Sequence, residues 1–288
     1  MLRELNNMKN ITILIPGIRT PNWKNLLESL KQTCKRYSYD VLFTSPFDIP
    51  REIKERDNIK LIKSYATIPV CVQQSVLEID SELFFLTVDD CVFAEDALDE
   101  ALDLYHDRCS EKDIISALYG EGGNKMEQKY WLVNTHQDLR LPGIPKGFAL
   151  ANQPIMRKEL FIESGGFDCE TFRYMDKPIH DLMFRLQYNG SKIFHSPKHI
   201  CIAEWLNGHD GDHMPVHEDQ VNHDTPIFNS LYSDPNLLEE REISYDNWKS
   251  APQIWERRFG PDPDKLPKTY EELCIINNYK FEKKVKEG

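Results

Sequence analysis

The sequence predicts an α/β protein: a Rossmann-like core of alternating strands and helices, then a mostly irregular, partly helical C-terminal extension. Three observations lead there. A β-branched run, Ile11-Thr12-Ile13-Leu14-Ile15, is closed by Pro16-Gly17 and followed by an amphipathic stretch. Strand-like and helix-like segments keep alternating as far as residue 118. The most apolar strand-like run, residues 83–88, passes directly into the acids Asp89-Asp90.

Taken in order, residues 11–15 have the near-continuous apolar character of a buried parallel strand. Thr20-Pro21 offers an N-cap with proline at the first helical position. Trp23, Leu26, Leu27, Leu30 and Cys34 recur at i, i+3, i+4, i+7 and i+11, one face of a helix. A strand over 39–44 completes a β-α-β unit. A strand over 59–62, a helix over 69–79, the strand 83–88, a helix near 95–106 and a strand near 113–118 continue the alternation. In the second half, 120–129 reads as a loop, 130–133 and 148–156 as strands, and 158–164 as a helix ending at Gly165-Gly166. A helix over 178–188 has Gly190 just beyond its end. After Trp205 no clear periodicity remains until the polar, partly helical tail.

A chain of 288 residues suffices for one large α/β domain or two closely joined ones. The formal charge of −12 speaks against a duplex-DNA or anionic-membrane surface, both of which need a basic footprint. It leaves room for a phosphate pocket whose positive charge comes from a metal ion. Seven cysteines at 34, 71, 91, 109, 169, 201 and 274, with no C-x-x-C pair, predict reduced thiols and a cytoplasmic protein. Residues 1–10 are polar and no stretch approaches the roughly 18 apolar residues of a membrane span, so neither a signal peptide nor a span is expected.

Three features carry chemistry. Asp89-Asp90 closes a strand, and open α/β sheets take ligands outside the carboxyl ends of their strands. Paired carboxylates there repel unless a cation or hydrogen bonds hold them, and magnesium or manganese suits such a site; a capping aspartate in a loop is the plain alternative. Second, Gly165-Gly166-Phe167-Asp168 precedes His180-Asp181 on a helix whose Ile179, Leu182, Met183 and Leu186 share one face. Asp181 lies off that face, aimed at solvent or at a cleft. Third, residues 204–224 hold His209, His213, His217 and His223 with six acids and no lysine or arginine. His213-x-x-x-His217 would chelate a metal if helical, but Pro215 between them argues against a regular helix.

In order and spacing these pieces resemble family 2-type glycosyltransferases of the GT-A fold, with its mixed central sheet. The matching stretches are Ile11-Thr12-Ile13-Leu14-Ile15-Pro16, Phe84-Phe85-Leu86-Thr87-Val88-Asp89-Asp90, residues 155–168 and residues 180–190, so that the resemblance covers about 10–205. It implies a transferase domain over 1–205, divided near residue 118 into a nucleotide-sugar half and an acceptor half, with 206–288 as an active-site loop and helical tail. It implies that Pro16, Gly17, Arg19, Ser45, Asp48, Gln73, Asp89 and Asp90 border the nucleotide sugar. Asp90 would bind a divalent metal (manganese or magnesium), with His209, His213 or His217 completing its shell, and Asp181 would be the general base of an inverting reaction. The implied partners are a nucleotide-sugar donor and a carbohydrate or other hydroxyl-bearing acceptor. Val88, His180 and Gln73-Gln74 depart from the family pattern. They motivate an alternative, a non-catalytic sugar- or nucleotide-binding protein on a degenerate transferase fold. A nucleotidyltransferase is disfavoured because Pro16-Gly17-Ile18-Arg19-Thr20 holds one glycine and one arginine, not a glycine-rich basic loop.

Overall fold

Strand β1 (Ile11–Pro16) is the middle of a parallel block: it pairs with β2 (Tyr39–Ser45) on one side and β4 (Leu83–Leu86) on the other, and β3 (Ile59–Lys63) lies beyond β2. The computed structural model describes residues 11–121, 141–203, 211–246 and 255–279. Past β4 the sheet changes sense. β7 (Pro154–Arg157) runs antiparallel to β4, β6 (Ile114–Glu121) antiparallel to β7, β8 (Ile193–Ala203) parallel to β6, and β5 (Cys91–Phe93) antiparallel to β8. The order is β3-β2-β1-β4-β7-β6-β8-β5, a mixed sheet of eight strands.

Side chains that alternate along the strands build a core on each face. Ile11, Ile13, Ile15, Val41, Phe43 and Phe85 meet α1 (Trp23–Thr33) and α3 (Ala97–Arg108). Leu14, Leu42, Phe84 and Leu86 meet α2 (Ile68–Leu77), α4 (Lys158–Glu163) and α5 (Asp176–Tyr188). Trp23 is fully buried and stacks on Phe43 with ring centroids 3.9 Å apart. The anticipated helical face of α1 is therefore the buried one, although Thr20-Pro21 forms a separate 3-10 turn before it rather than a side-chain cap.

The departures from expectation have local causes. β4 stops at Leu86, and the next side chain, Thr87, donates to the buried Gln153 Oε1 at 2.9 Å as the chain turns toward Asp89. The strand expected over 148–156 shrinks to β7 because the Ala149 backbone is bound at both its N–H and C=O by the Gln187 side chain. β8 went unread because its HSPKH segment is polar; a register shift there lets Ser196 Oγ accept from Leu118 N, beside a proline that has no N–H to give. The strand expected over 130–133 and most of the 120–129 loop lie outside the described residues.

The segment read as irregular is helical in pieces. A 3-10 turn at Gly211–His213 leads into α6 (Met214–Asp219), a π turn at Gln220–Asp224 and α7 (Thr225–Leu231). Pro215 sits in the first turn of α6, where a missing N–H breaks no helical bond. Further on come α8 (Leu237–Glu240), α9 (Glu256–Phe259) and α10 (Tyr270–Ile276). No helix among the described residues is long and apolar enough to cross a membrane.

Replacing Trp23 with alanine removes the largest fully buried side chain joining α1 to β2. The variant is expected to lose about 3–5 kcal/mol in urea unfolding, and a loss below about 1 kcal/mol would contradict this packing.

Candidate functional site

The carboxyl ends of β1, β2 and β4 lie together, and the loop after β1 is drawn tightly onto the loop after β4. Gly17 N donates to Thr44 O of β2 at 3.1 Å. A Cβ on Gly17 would stand 2.6 Å from Asp89 Cβ, so glycine is what permits the approach. Asp89 Oδ2 then accepts two successive backbone amides, Ile18 N at 2.7 Å and Arg19 N at 2.6 Å.

The Arg19 side chain is enclosed by three acids from two parts of the chain. Its Nη1 lies 3.0 Å from Asp89 Oδ1 and 3.5 Å from Asp90 Oδ2, while Nε and Nη2 make a two-pronged contact with Asp212 at 3.0 and 2.9 Å. Tyr270 Oη donates to the same Asp212 carboxylate at 2.8 Å. Burial works against the charge on Arg19, but Asp212, Asp89 and Asp90 hold its pKa well above the usual value. Burial would likewise raise Asp212, and the Arg19 and Arg258 guanidiniums overcome it, bringing the carboxyl down to about 2. An apolar cluster covers the same edge: Ile18 and Phe47, just past β1 and β2, are buried with Val216, Trp255, Phe259 and Leu273.

The other residues singled out from sequence divide between this edge and elsewhere. Pro16 ends β1, and Ser45 ends β2 with its Oγ accepting from Phe47 N at 3.1 Å. Asp48 is exposed and pairs with Lys63 at 2.8 Å. Gln73 is turned to the Gly165-Gly166 turn, its Oε1 accepting from Phe167 N at 3.2 Å. His213 adjoins the Arg19 cluster, where burial and then the Arg19 charge push it down to about 4, so it is neutral at pH 7. His217 is half-buried on α6, and His209 lies outside the described residues. By donor chemistry the three carboxylates suit a hard divalent cation. The cation standing among them here is Arg19, and no group of three potential metal ligands is assembled among the described residues.

Asp181 is not free to face a cleft. It is wholly buried, with Oδ2 accepting from Arg185 Nε at 2.8 Å and Oδ1 from Arg241 Nε at 2.6 Å and Tyr232 Oη at 2.8 Å. Burial would raise its pKa, and the two arginines more than reverse this. Arg185 also donates to the carbonyls of Ser164 and Gly166, and Arg241 to Asp168. Both motifs of the second half thus belong to one ion network, which shares no described hydrogen bond or ion pair with the Arg19 cluster. Asp181 lies off the apolar face of α5, but α5 is enclosed on that side as well, by Tyr232 and Arg241.

Sequence reasoning missed Asp212, Tyr270, Trp255 and Arg258. Asp212 lay inside the flagged acidic segment, where the histidines drew attention away from it. The others carried no local signal, because only the return of the tail to the sheet edge gives them partners.

No family model matches the chain, and no curated protein matches it in sequence. Solved structures do match in shape. TarS residues 1–349 from S. aureus, in complex with UDP, aligns at 12% identity with a TM-score of 0.50, covering 87% of this chain and 77% of that one. The same TarS segment without that ligand gives 14% identity and a TM-score of 0.50. GalNAc-T7 with UDP, GalNAc and Mn2+ aligns at 12% identity with a TM-score of 0.51, covering 70% of this chain and 44% of that one. The chain therefore has the α/β fold of GT-A glycosyltransferases.

Two measurements probe the charge networks. Asp181→Asn leaves the buried Arg185 and the half-buried Arg241 short of a counter-charge, and chemical denaturation should show a loss of about 3 kcal/mol; a surface-like change under about 0.5 kcal/mol would be incompatible with the network. For His213 the folded pKa lies below the unfolded one, so between pH 6.5 and about 4 the unfolded chain takes up a proton that the folded chain refuses. Stability should fall as pH drops through that window, and His213→Gln should flatten the slope there.

Proposed function

We propose that this chain is a glycosyltransferase that binds a nucleotide-sugar donor at the carboxyl ends of β1, β2 and β4 and passes the sugar to an acceptor hydroxyl. The observation that carries the reading is the Arg19 guanidinium held among Asp89, Asp90 and Asp212 at that edge. Ligands of open α/β sheets bind at this end of the strands. Structures of the same fold hold UDP in one case, and UDP, GalNAc and Mn2+ in another. Residues 1–205 would form the transferase domain, and the C-terminal portion would supply Asp212, Arg258 and Tyr270 to its edge.

In the transfer, the acceptor oxygen bonds to the anomeric carbon as the bond from that carbon to the diphosphate oxygen breaks. The electron pair leaves with the diphosphate, and the acceptor proton passes to a base. Arg19 is placed to offset the charge gathering on the diphosphate, a fixed donor in a partly dehydrated site. A divalent ion held by Asp90, with His213 or His217 beside it, would supply Lewis-acid stabilisation of the same charge.

For the base, α5 offers two carboxylates. Asp181 would first have to release Arg185 and Arg241. Asp176, in the first turn, keeps 24% of its side chain exposed and accepts from His180 at 2.8 Å, Lys177 at 3.0 Å and Gln220 at 2.8 Å. His180 and Lys177 overcome burial and hold its carboxyl well below the usual range, so it too would have to loosen these contacts. Through Gln220 it adjoins the 211–224 segment that carries Asp212, and its partial exposure makes Asp176 the better-placed candidate for an inverting reaction.

A non-catalytic nucleotide- or sugar-binding protein is the second reading. It is favoured by the Arg19 guanidinium already compensating the acids and by Trp255, Phe259 and Leu273 covering Ile18 and Phe47.

A panel of UDP-sugars, with and without Mn2+, followed by calorimetry and by release of UDP, separates these readings. A catalyst binds a donor and releases UDP; a binding protein does only the first; no binding to any donor would sink both. Within the catalytic reading, Asp176→Asn should retain UDP affinity and lose about a hundredfold or more in turnover. Unchanged turnover would remove Asp176 from the chemistry.

A further inference from the structure

The last described helices bring a second guanidinium to the Arg19 cluster. Arg258, on α9, is only 6% exposed and lies over the Trp255 ring at 5.3 Å. Its charge is within electrostatic reach of Asp212, Arg19 and Asp89. Yet its Nε is buried without a hydrogen-bond partner, and so is the indole Nε1 of Trp255 beside it. Folded proteins rarely leave such donors unpaired, least of all on a charged group, because each gives up its water without replacement. Arg19 is fully engaged with its acids, whereas Arg258 brings an unused charged donor to the same edge.

The surroundings select what that donor would take. The loops after β1 and β4 and the Trp255–Phe259 turn converge at the end of the sheet where an α/β fold receives its ligand. Arginine's planar fork suits the oxygens of a phosphate, and two arginines side by side match the spread charge of a diphosphate. A carboxylate partner for Arg258 is already at hand in Asp212, but Asp212 gives two oxygens to Arg19 and one of them also to Tyr270.

We propose that Arg258 is a donor-binding residue that, with Arg19, grips the diphosphate of the nucleotide sugar, so that the 255–276 segment completes the donor site. This rests on the transferase or nucleotide-binding reading above and adds to it the residue that discriminates diphosphate from nucleoside. The charges of Asp89, Asp90 and Asp212 outnumber those of Arg19 and Arg258 by one, so a diphosphate binds best together with a divalent cation.

The test uses the full chain with Mn2+ and three probes: UDP, inorganic pyrophosphate and uridine. Arg258→Gln should weaken UDP and pyrophosphate about tenfold to a hundredfold and leave uridine within about twofold. Arg258→Lys keeps the charge without the fork, so it should lose about tenfold for UDP, again with uridine unchanged. It decides the matter if the glutamine variant does not fold. Equal loss for UDP and uridine would reduce Arg258 to a packing role and overturn the inference, as would unchanged UDP affinity in a folded variant. Wild-type protein that binds neither UDP nor pyrophosphate would defeat the donor-binding reading itself, whereas wild-type binding with an indifferent Arg258→Gln would defeat only the assignment of Arg258.

Discussion

The Arg19 guanidinium ties together three stretches of chain that nothing else joins so directly: the loop after β1, the acids after β4, and the turn at Asp212 before α6. With side chains this enclosed, each of these charges is tolerable only because the others are present. Gly17 lets the two loops approach, Asp89 fixes the Ile18 and Arg19 amides, and the side chain of Arg19 then has one direction left to take. The apolar group of Ile18, Phe47, Val216, Trp255, Phe259 and Leu273 is buried beside that contact and leaves it little exposed to water. Excluding water strengthens the ion pairs, so polar and apolar parts of the edge depend on each other.

A second charged node does comparable structural work on the other side of the sheet. Asp181, Arg185, Arg241, Asp168 and Tyr232 fasten α5 to the Gly165-Gly166 turn and to the chain after α8. Gly165 and Gly166 both have positive φ, and the Ile243 backbone carbonyl lies where a Cβ on Gly165 would stand. Residues that in sequence resemble catalytic motifs are thus joined in one buried ion network. The Arg19 node bounds the carboxyl ends of the strands with charges that are mostly paired to one another. Any ligand that enters the Arg19 node has to exchange contacts within it.

The first half of the fold was legible because its signals are local. Short runs dominated by apolar residues, a helix with Leu at i, i+3 and i+4 spacing, and acids at a strand end each follow from burial on a repeating backbone. The second half was legible where glycine marked a helix end, at Gly165 and Gly190, and not where side chains replaced backbone in the hydrogen bonding. Gln187 at Ala149 and Ser196 at Leu118 are such places, and a pattern of polar and apolar residues carries no trace of them.

Sequence by itself determined the α/β class, the opening β-α-β unit and the placing of Asp89-Asp90 after the most apolar strand, since these depend on hydrophobic period and chain order. Tertiary structure alone decided which charges meet. Asp212 is 193 residues from Arg19 in the chain and 2.9 Å from it in space. Asp181 lies off the apolar face of its own helix and is nevertheless enclosed by Arg241 and Tyr232 from beyond α6. A side chain's period reports the face its own element presents, whereas its ionisation and its role depend on what packs against the opposite face, and only the folded chain supplies that.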